Sequence, residues 1–140
     1  MSRLDPGQRP AEITAALAAA EDCLESGSLD PVLREIGVLA AVRRSSVETK
    51  KRIVSARDAG LSSDMVTAIA AEDWTDDAFD ERAKVAFRFA MMYEAGHGIS
   101  SSVFDGLQQH LTDPEILELA AVCSHWGARA RAAIAFELDD

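Results

Sequence analysis

Three polar side chains on the stretch 45–60 are of types that do chemistry: Ser45, Glu48 and Arg52. A serine acts as a nucleophile when a base lies beside it, and Glu48 is a candidate for that base. The guanidinium of Arg52 is suited to hold a carboxylate through two parallel hydrogen bonds. A purely structural interpretation is also open, because Ser45 and Glu48 have the spacing of a capping box at a helix start.

Five of the 14 basic residues of this acidic chain lie close to that stretch, at positions 43, 44, 50, 51 and 52. A helix N-terminus attracts anions, so a basic group beside one is a candidate site for a small carboxylate. The same charges could instead form a solvated face, or contact the acidic surface of another subunit. The sequence leaves these interpretations open.

The three histidines add weaker candidates. His97 lies between two glycines in a predicted turn; it could close over a pocket and titrate near neutrality, or simply be exposed. His110 falls near the end of a predicted helix, where its charged form is favourable. His125, beside Trp126, is either a satisfied core side chain or part of the lining of a cavity between helices. No spacing of histidines or carboxylates indicates a metal site, and we expect neither a metal nor another cofactor.

Length and composition limit the kind of protein to which these residues can belong. A chain of 140 residues, with 48% apolar and 27% charged side chains, is expected to form one globular domain. Its net charge of −10 and its pI near 4.7 argue against binding to nucleic acid or to anionic lipid. No segment has the pattern of a signal peptide or a membrane span, so we expect a cytoplasmic protein. Cys23 and Cys123 have no metal or redox spacing, and both are expected to be small buried side chains.

Apolar residues at helical spacing predict an all-α chain, with a flexible tail over 1–10 and one domain over 11–140. The third helix is the stretch that carries the candidate residues; Ser45 caps it, and Gly60 ends it in the left-handed conformation. Phe104 in the sixth helix is expected to be buried, and Gly127 in the last helix is expected to let helices approach closely. The predicted helices cover about 11–25, 31–43, 45–59, 62–71, 76–94, 100–111 and 112–136, followed by a short acidic end at 138–140.

The fifth predicted helix carries apolar residues on two sides. Phe79 and Phe87 belong to one side, and Val85, Phe89 and Tyr93 belong to the other. A surface helix usually buries a single apolar stripe in its own domain. The second side is therefore expected to be covered by another subunit.

Several short motifs become informative once the helices are placed. They are D-P-V-L-R-E-I at 30–36, D-A-G-L-S at 58–62, the long helix at 80–93, I-S at 99–100, L-T-D-P-E-I-L-E-L at 111–119 and F-E-L-D-D at 136–140. In this order and spacing they resemble the carboxymuconolactone decarboxylase family, which includes the alkylhydroperoxidase D proteins. The resemblance extends over roughly residues 30–140.

The resemblance implies an all-α bundle that assembles into homo-oligomers, often trimers or hexamers. In the peroxidase branch of the family, a C-x-x-C-x-x-x-H motif lies at the start of the third helix, where the helix N-terminus favours a thiolate. Counting back from Gly60 places Ser45, Glu48 and Arg52 at those three positions. Because a hydroxyl cannot form a disulfide, the peroxidase cycle of the family is not expected here.

The first functional hypothesis is an enzyme or binding protein for a small carboxylated compound. Ser45 and Arg52 would bind the anion, at the start of the third helix. Glu35, which matches a glutamate that passes protons in the family, would move a proton, with Glu48 and His97 as further candidates for that role. The alternative for Glu35 is an exposed carboxylate paired with a neighbouring arginine, Arg34 or Arg43.

Two other functions remain open. An antioxidant role through Cys23 or Cys123 would require an exposed thiol with a low pKa. A non-catalytic oligomer would instead have a closed, apolar interior around Ser45. In every case the expected partners are copies of the chain itself and, at most, a small anionic molecule.

Overall fold

The computed structural model describes residues 4–136, which form seven α-helices and no strand. The all-α prediction is confirmed for this range. A 3-10 turn at Pro6–Gln8 precedes the helices. They are α1 (Ala11–Glu25), α2 (Pro31–Val42), α3 (Ser46–Ala59), α4 (Ser63–Ala70), α5 (Glu81–Glu94), α6 (Ser101–His110) and α7 (Asp113–Ala135). The first three residues of the predicted tail and the predicted acidic end at 138–140 lie outside the described residues.

Helix α2 is the centre of the bundle, because almost every residue from Leu33 to Val42 is buried and α3, α4, α5 and α7 all pack on it. Gly37 allows its close contact with α7: a Cβ there would lie 2.8 Å from the Leu119 side chain. The sequence assigned that role to Gly127, which was wrong. No atom of another described segment lies within 4 Å of a Cβ built at Gly127.

Helix ends lie where the sequence predicts them when the segment offers only one capping residue. Ser45 Oγ accepts a hydrogen bond from the Glu48 amide at 3.2 Å, and α3 begins there. Gly60 has a φ of 118°, which is unfavourable for any residue with a Cβ, and α3 ends at it. The predicted bounds of α3 are therefore confirmed.

The start of α5 was predicted wrongly, at Asp76 rather than at Glu81. Three aspartates compete for the role of cap in this segment. Asp73 and Asp76 accept hydrogen bonds from backbone amides two residues ahead, at 3.1 and 2.8 Å, and so form turns rather than a helix. Asp80 accepts from the amide three residues ahead, which is the geometry that begins α5.

The second apolar side of α5 is covered in part by this chain itself. Phe89 is only 3% exposed, because α6 and α7 pack against α5. Tyr93 and Phe104 remain 37% and 41% exposed, so the prediction that Phe104 is buried was wrong. They line an apolar groove of about 360 Å³ between α5, α6 and α7. This apolar groove is formed by Phe89, Tyr93, Ile99, Phe104, Gln108, Asp113, Ile116, Leu117 and Ala120.

Helix α1 lies at the edge of the bundle and contributes no fully buried side chain. Ile13 and Leu17, on its predicted apolar stripe, are exposed, and Leu24 alone of that stripe packs against the core. The helix runs mainly along α7. Within residues 4–136, no helix is both long and apolar enough to cross a bilayer.

Candidate functional site

Charged side chains from four helices meet where α1, α2, α3 and α7 come together. The most buried of them is Glu35 on α2, which is 2% exposed. Its Oε1 lies 3.3 Å from Arg52 Nη2 of α3 and 3.7 Å from Arg34 Nη2. Glu35 is therefore not the exposed carboxylate of the structural alternative.

Arg52 is held on three sides. Its Nη1 lies 3.3 Å from the Glu25 carboxylate at the end of α1, and its guanidinium carbon lies 4.1 Å from the centre of the Trp126 ring. Stacking on an aromatic face suits a guanidinium that has lost most of its water. Burial raises the pKa of Glu35 above its ordinary value, although the positive charges of Arg52 and Arg34 oppose this shift.

Glu48 forms a second buried centre, one turn before Arg52 on α3. It is 5% exposed, and its carboxylate contacts Lys51 Nζ and Arg129 Nε, each at 3.4 Å. The Ser45 amide donates to the Val42 carbonyl at 2.8 Å. Among the described residues, Glu48 Oε2 has no hydrogen-bond partner, which is unusual for a buried carboxylate oxygen.

A third carboxylate, Glu21 of α1, is held by two side chains of α7. His125 Nε2 donates to Glu21 Oε1 at 3.0 Å, and Arg129 Nη1 donates to the same oxygen. We call His125 and Arg129 the α7 clamp. Burial acts to raise the pKa of Glu21, but the hydrogen bond from His125 and the charge of Arg129 outweigh it and lower that pKa below its ordinary value. The α7 clamp therefore favours a carboxylate in its charged form.

Glu48 and Glu21 both line a cavity of about 400 Å³ beside α7. This volume is within the usual size range for small-molecule sites. The lining of the cavity contains both charged and apolar side chains, which come mainly from α1, α3, α7 and the chain before α1. The lining residues are Leu4, Asp5, Gln8, Arg9, Leu17, Glu21, Glu48, Lys51, His125, Arg129, Ala132, Ala133 and Phe136.

The structure brings together four of the five residues that the sequence proposed for the site. Glu35, Ser45, Glu48 and Arg52 lie on adjoining parts of α2 and α3. Among the described residues that line the cavity, only Glu48 belongs to this group. Ser45 is fully buried, and its hydroxyl serves the Glu48 amide. His97 is exposed in the loop between α5 and α6 and does not line the cavity.

Sequence reasoning did not assign Glu21 or Arg129 to the site, although it considered His125 as a cavity residue. A signal was available, since His125 and Arg129 are four residues apart and therefore share one face of α7. Glu48 and Arg52 have the same spacing on α3. No spacing along the chain connects Glu21 with a helix that begins 92 residues later, so its role becomes visible only in the folded chain.

The basic group at the start of α3 divides into two parts. Arg43 does not line the cavity, and its side chain pairs with Glu72 at 2.8 Å and with Glu94 at 3.2 Å. It therefore supports the loop after α4 and the end of α5. Lys51 lines the cavity, with more than half of its side chain exposed.

The two cysteines do not form a redox pair: both are free thiols, and the prediction of burial is confirmed for Cys123 and wrong for Cys23. Cys123 is packed between α7 and α2, with its Sγ 3.9 Å from the Gly37 carbonyl. Burial raises the pKa of the Cys123 thiol to about 12, and the nearby negative charge of Glu94 adds to the effect. Cys23 lies exposed on α1. Within residues 4–136, no three histidine, cysteine or carboxylate side chains converge as a metal site requires.

Comparison with known proteins extends the description of the fold. No protein-family model and no curated protein matches this sequence. Among solved structures, the chain is similar to a crystal structure from Agrobacterium tumefaciens, of a protein of unknown function suspected to be an antioxidant defence protein AhpD. The similarity has a TM-score of 0.87 at 18% identity and covers 98% of this chain and 96% of the other. The chain therefore has an AhpD-like helical fold.

Proposed function

We propose that the chain is a carboxymuconolactone decarboxylase-like protein that binds a small carboxylated compound in the cavity beside α7 and moves a proton on it. The observation that carries this proposal is Glu48, a buried carboxylate whose Oε2 is ion-paired with Arg129 but has no hydrogen bond, in the lining of a cavity that also contains Lys51 and Arg129. The AhpD-like fold supports the choice of family but not of reaction.

The two cations and the carboxylate have different tasks in this proposal. Lys51 and Arg129 attract the ligand's carboxylate, while the apolar side chains of Leu17 and Phe136 receive its carbon skeleton. Glu48 accepts a proton from the ligand, since proton transfer needs a base within hydrogen-bond reach of the reacting group. A buried base works without competition from bulk water.

Residues outside the cavity position these groups. Ser45 fixes the first turn of α3 and therefore the direction of Glu48. Arg52 ties α3 to α2 and to α1 through Glu35 and Glu25. In this proposal Ser45 and Arg52 hold the site in shape, and Lys51 and Arg129 replace them as the groups that contact the anion.

The test of this proposal separates binding from proton transfer. Benzoate, succinate and levulinate (a small keto acid) are added to the protein, and ligand-observed NMR measures binding while deuterium uptake beside the ketone of levulinate in D₂O measures proton transfer. We expect at least one to bind with a Kd of about 1 mM or tighter. Glu48→Gln should retain binding and lower deuterium uptake about 100-fold, the scale of one general base.

Glu81→Gln is the matched control, because Glu81 is an exposed carboxylate on α5 and does not line the cavity. It should behave as the wild type in both measurements. If none of the three carboxylates binds, or if Glu48→Gln and Glu81→Gln give equal deuterium uptake, the proposed function is wrong.

The antioxidant alternative has a separate measurement. At pH 8 we expect a disulfide thiol reagent to modify one of the two cysteines in the native protein, because the pKa of Cys123, at about 12, leaves almost no thiolate. Cys23→Ser should abolish the reaction until the protein is unfolded. Rapid modification of native Cys23→Ser would contradict the structure and revive a redox role for Cys123.

A further inference from the structure

The Glu21 carboxylate occupies a place in the cavity that would also suit the carboxylate of a ligand. It lies against the α7 clamp, where a ring nitrogen of His125 and a guanidinium nitrogen of Arg129 converge on one of its oxygens. Convergent donors on a carboxylate oxygen are a common way for proteins to recognise small acids. Here the acid belongs to the protein itself.

The helix that supplies this carboxylate is attached to the bundle chiefly through charges. No side chain of α1 is fully buried. Besides Leu24, the contacts of its last two turns are ionic or polar: Glu21 on the α7 clamp, Glu25 on Arg52, and the Glu25 carbonyl accepting from Arg34. Partly exposed ion pairs contribute little free energy each, so α1 can be displaced without unfolding the helices beneath it.

The same helix forms one wall of the cavity, through Leu17 and Glu21. When Glu21 leaves the α7 clamp, two donors are freed and the cavity opens on the side of α1. An acid that enters must compete with a carboxylate already tethered beside the same donors. The tether gives Glu21 a high effective concentration, which lowers the apparent affinity of any external acid.

We propose that Glu21 is a built-in competitor for the carboxylate subsite formed by His125 and Arg129, so that binding of a small carboxylic acid displaces Glu21 and releases α1 from α7. This inference rests on the proposed function, since it keeps Arg129 as a group that binds the acid, adds His125 as its second donor and describes how access is regulated. It differs from that function in predicting that removal of a site carboxylate improves binding.

The experiment compares two variants of α1. Glu21→Gln empties the α7 clamp of its internal charge, while Glu25→Gln breaks the other ionic attachment of α1 and leaves the clamp occupied. Benzoate binding is measured by titration calorimetry for the wild type and both variants. We expect Glu21→Gln to bind benzoate about tenfold tighter than the wild type, and Glu25→Gln to bind it within about twofold of the wild type.

Hydrogen exchange followed by mass spectrometry gives the second measurement. In the wild type, benzoate should accelerate exchange of the amides of 11–25 while those of α2 and α7 remain protected. In Glu21→Gln, exchange over 11–25 should already be fast and benzoate should add nothing. Because α1 supplies no fully buried side chain, both variants should keep the far-ultraviolet circular dichroism of the wild type.

The outcomes distinguish the two proposals. If the wild type and Glu21→Gln bind benzoate equally, or if the variant binds more weakly, Glu21 is not a competitor and this inference is overturned, while the proposed function stands. Equal tightening in both variants overturns it too, since loosening of α1 would then be the cause. If neither the wild type nor Glu21→Gln binds benzoate, this inference is overturned, and the proposed function falls with it only when succinate and levulinate also fail to bind.

Discussion

Helix α7 presents two very different surfaces to the rest of the molecule. The side that faces α1, α2 and α3 carries His125, Trp126 and Arg129 among buried carboxylates. The side that faces α5 and α6 carries Ile116, Leu117 and the other residues of the apolar groove. Both sides have a cavity of similar volume, but the charged side brings buried carboxylates together with His125 and Arg129, while most of the side chains that line the groove are apolar.

The two sides are also stabilised in different ways. On the charged side the buried carboxylates Glu35 and Glu48 are each paired with two cations, so the loss of a cation leaves a buried charge with less compensation. On the apolar side stability follows from the area and volume that are buried, and the loss of a methyl group has a small, local effect. Substitutions on the two sides should therefore differ in size and in how they can be compensated.

The largest effect is expected from Arg52→Ala, which removes the closest cation of Glu35 and also the stack on Trp126. We expect a loss of about 3 kcal/mol in the free energy of unfolding, measured by urea denaturation. Lys50→Ala, an exposed neighbour on α3, is the control and should change stability by less than about 0.5 kcal/mol.

A double variant sharpens this prediction. Glu35→Gln combined with Arg52→Met removes both charges and keeps most of the volume, so it should recover much of the loss caused by Arg52→Ala. If Arg52→Ala leaves the free energy of unfolding almost unchanged, the buried Glu35 does not need Arg52 for its stability. The proposed difference in stabilisation between the two sides of α7 would then not be supported.

The next effect concerns what covers the apolar groove. Leu117 is 70% exposed and lies beside the exposed rings of Tyr93 and Phe104, and exposed apolar patches of this kind mark surfaces that meet other chains. We propose that copies of the chain assemble through this groove. Sedimentation should give a mass above the 15.0 kDa of one chain, and Leu117→Glu should weaken the assembly at least about tenfold, or roughly 1.4 kcal/mol.

Val54→Glu is the matched control for that experiment, because Val54 is also a largely exposed apolar residue but lies on α3, outside the groove. It should leave the mass unchanged. A wild-type mass of one chain at all concentrations would show that the groove is not a contact between copies.

A smaller effect distinguishes buried from exposed positions within the groove itself. Ile116 is 6% exposed and its neighbour Leu117 is mostly exposed. Ile116→Val should cost about 1 kcal/mol of unfolding free energy, while Leu117→Ala should cost less than about 0.5 kcal/mol at a concentration where the chain is a monomer. Equal costs would mean that Leu117 is covered even in the monomer.

The sequence predicted those features of the two sides of α7 that depend on residues close together along the chain. The Ser45 cap and the Gly60 stop fix α3, and with it the register that places Glu48 and Arg52 on adjoining turns. The start of α5 was missed because three aspartates within eight residues can each cap a turn, and the choice of Asp80 depends on packing. Local spacing could not decide among them.

The site was predicted in part for the same reason. Glu35, Glu48 and Arg52 lie on two consecutive helices, so their meeting follows from a short connection. The pairing of Glu21 with Arg129 joins residues 108 apart in sequence, and the exposure of Phe104 depends on how α6 rests on α5. Both depend on tertiary packing, which cannot be predicted from the residue pattern of a single helix.

The smallest effect, and the one most specific to the charged side, is the dependence of stability on pH through Glu21. Its pKa is lowered from an ordinary value of 4.5 in the folded chain, so the unfolded chain binds more protons than the folded chain between the two pKa values. The contribution of Glu21 is therefore complete above pH 4.5 and is lost as the pH falls through the lower, folded value. Since the pair is partly exposed, that contribution should be about 0.5 kcal/mol.

The unfolding free energies of the wild type and Glu21→Gln, measured in urea between pH 3 and 6, should differ by a constant amount near pH 6 and converge at the acid end. A difference that grows as the pH falls would have the wrong sign for a carboxylate held by Arg129 and a hydrogen bond from His125, and would mean that Glu21 is attached to α7 in some other way.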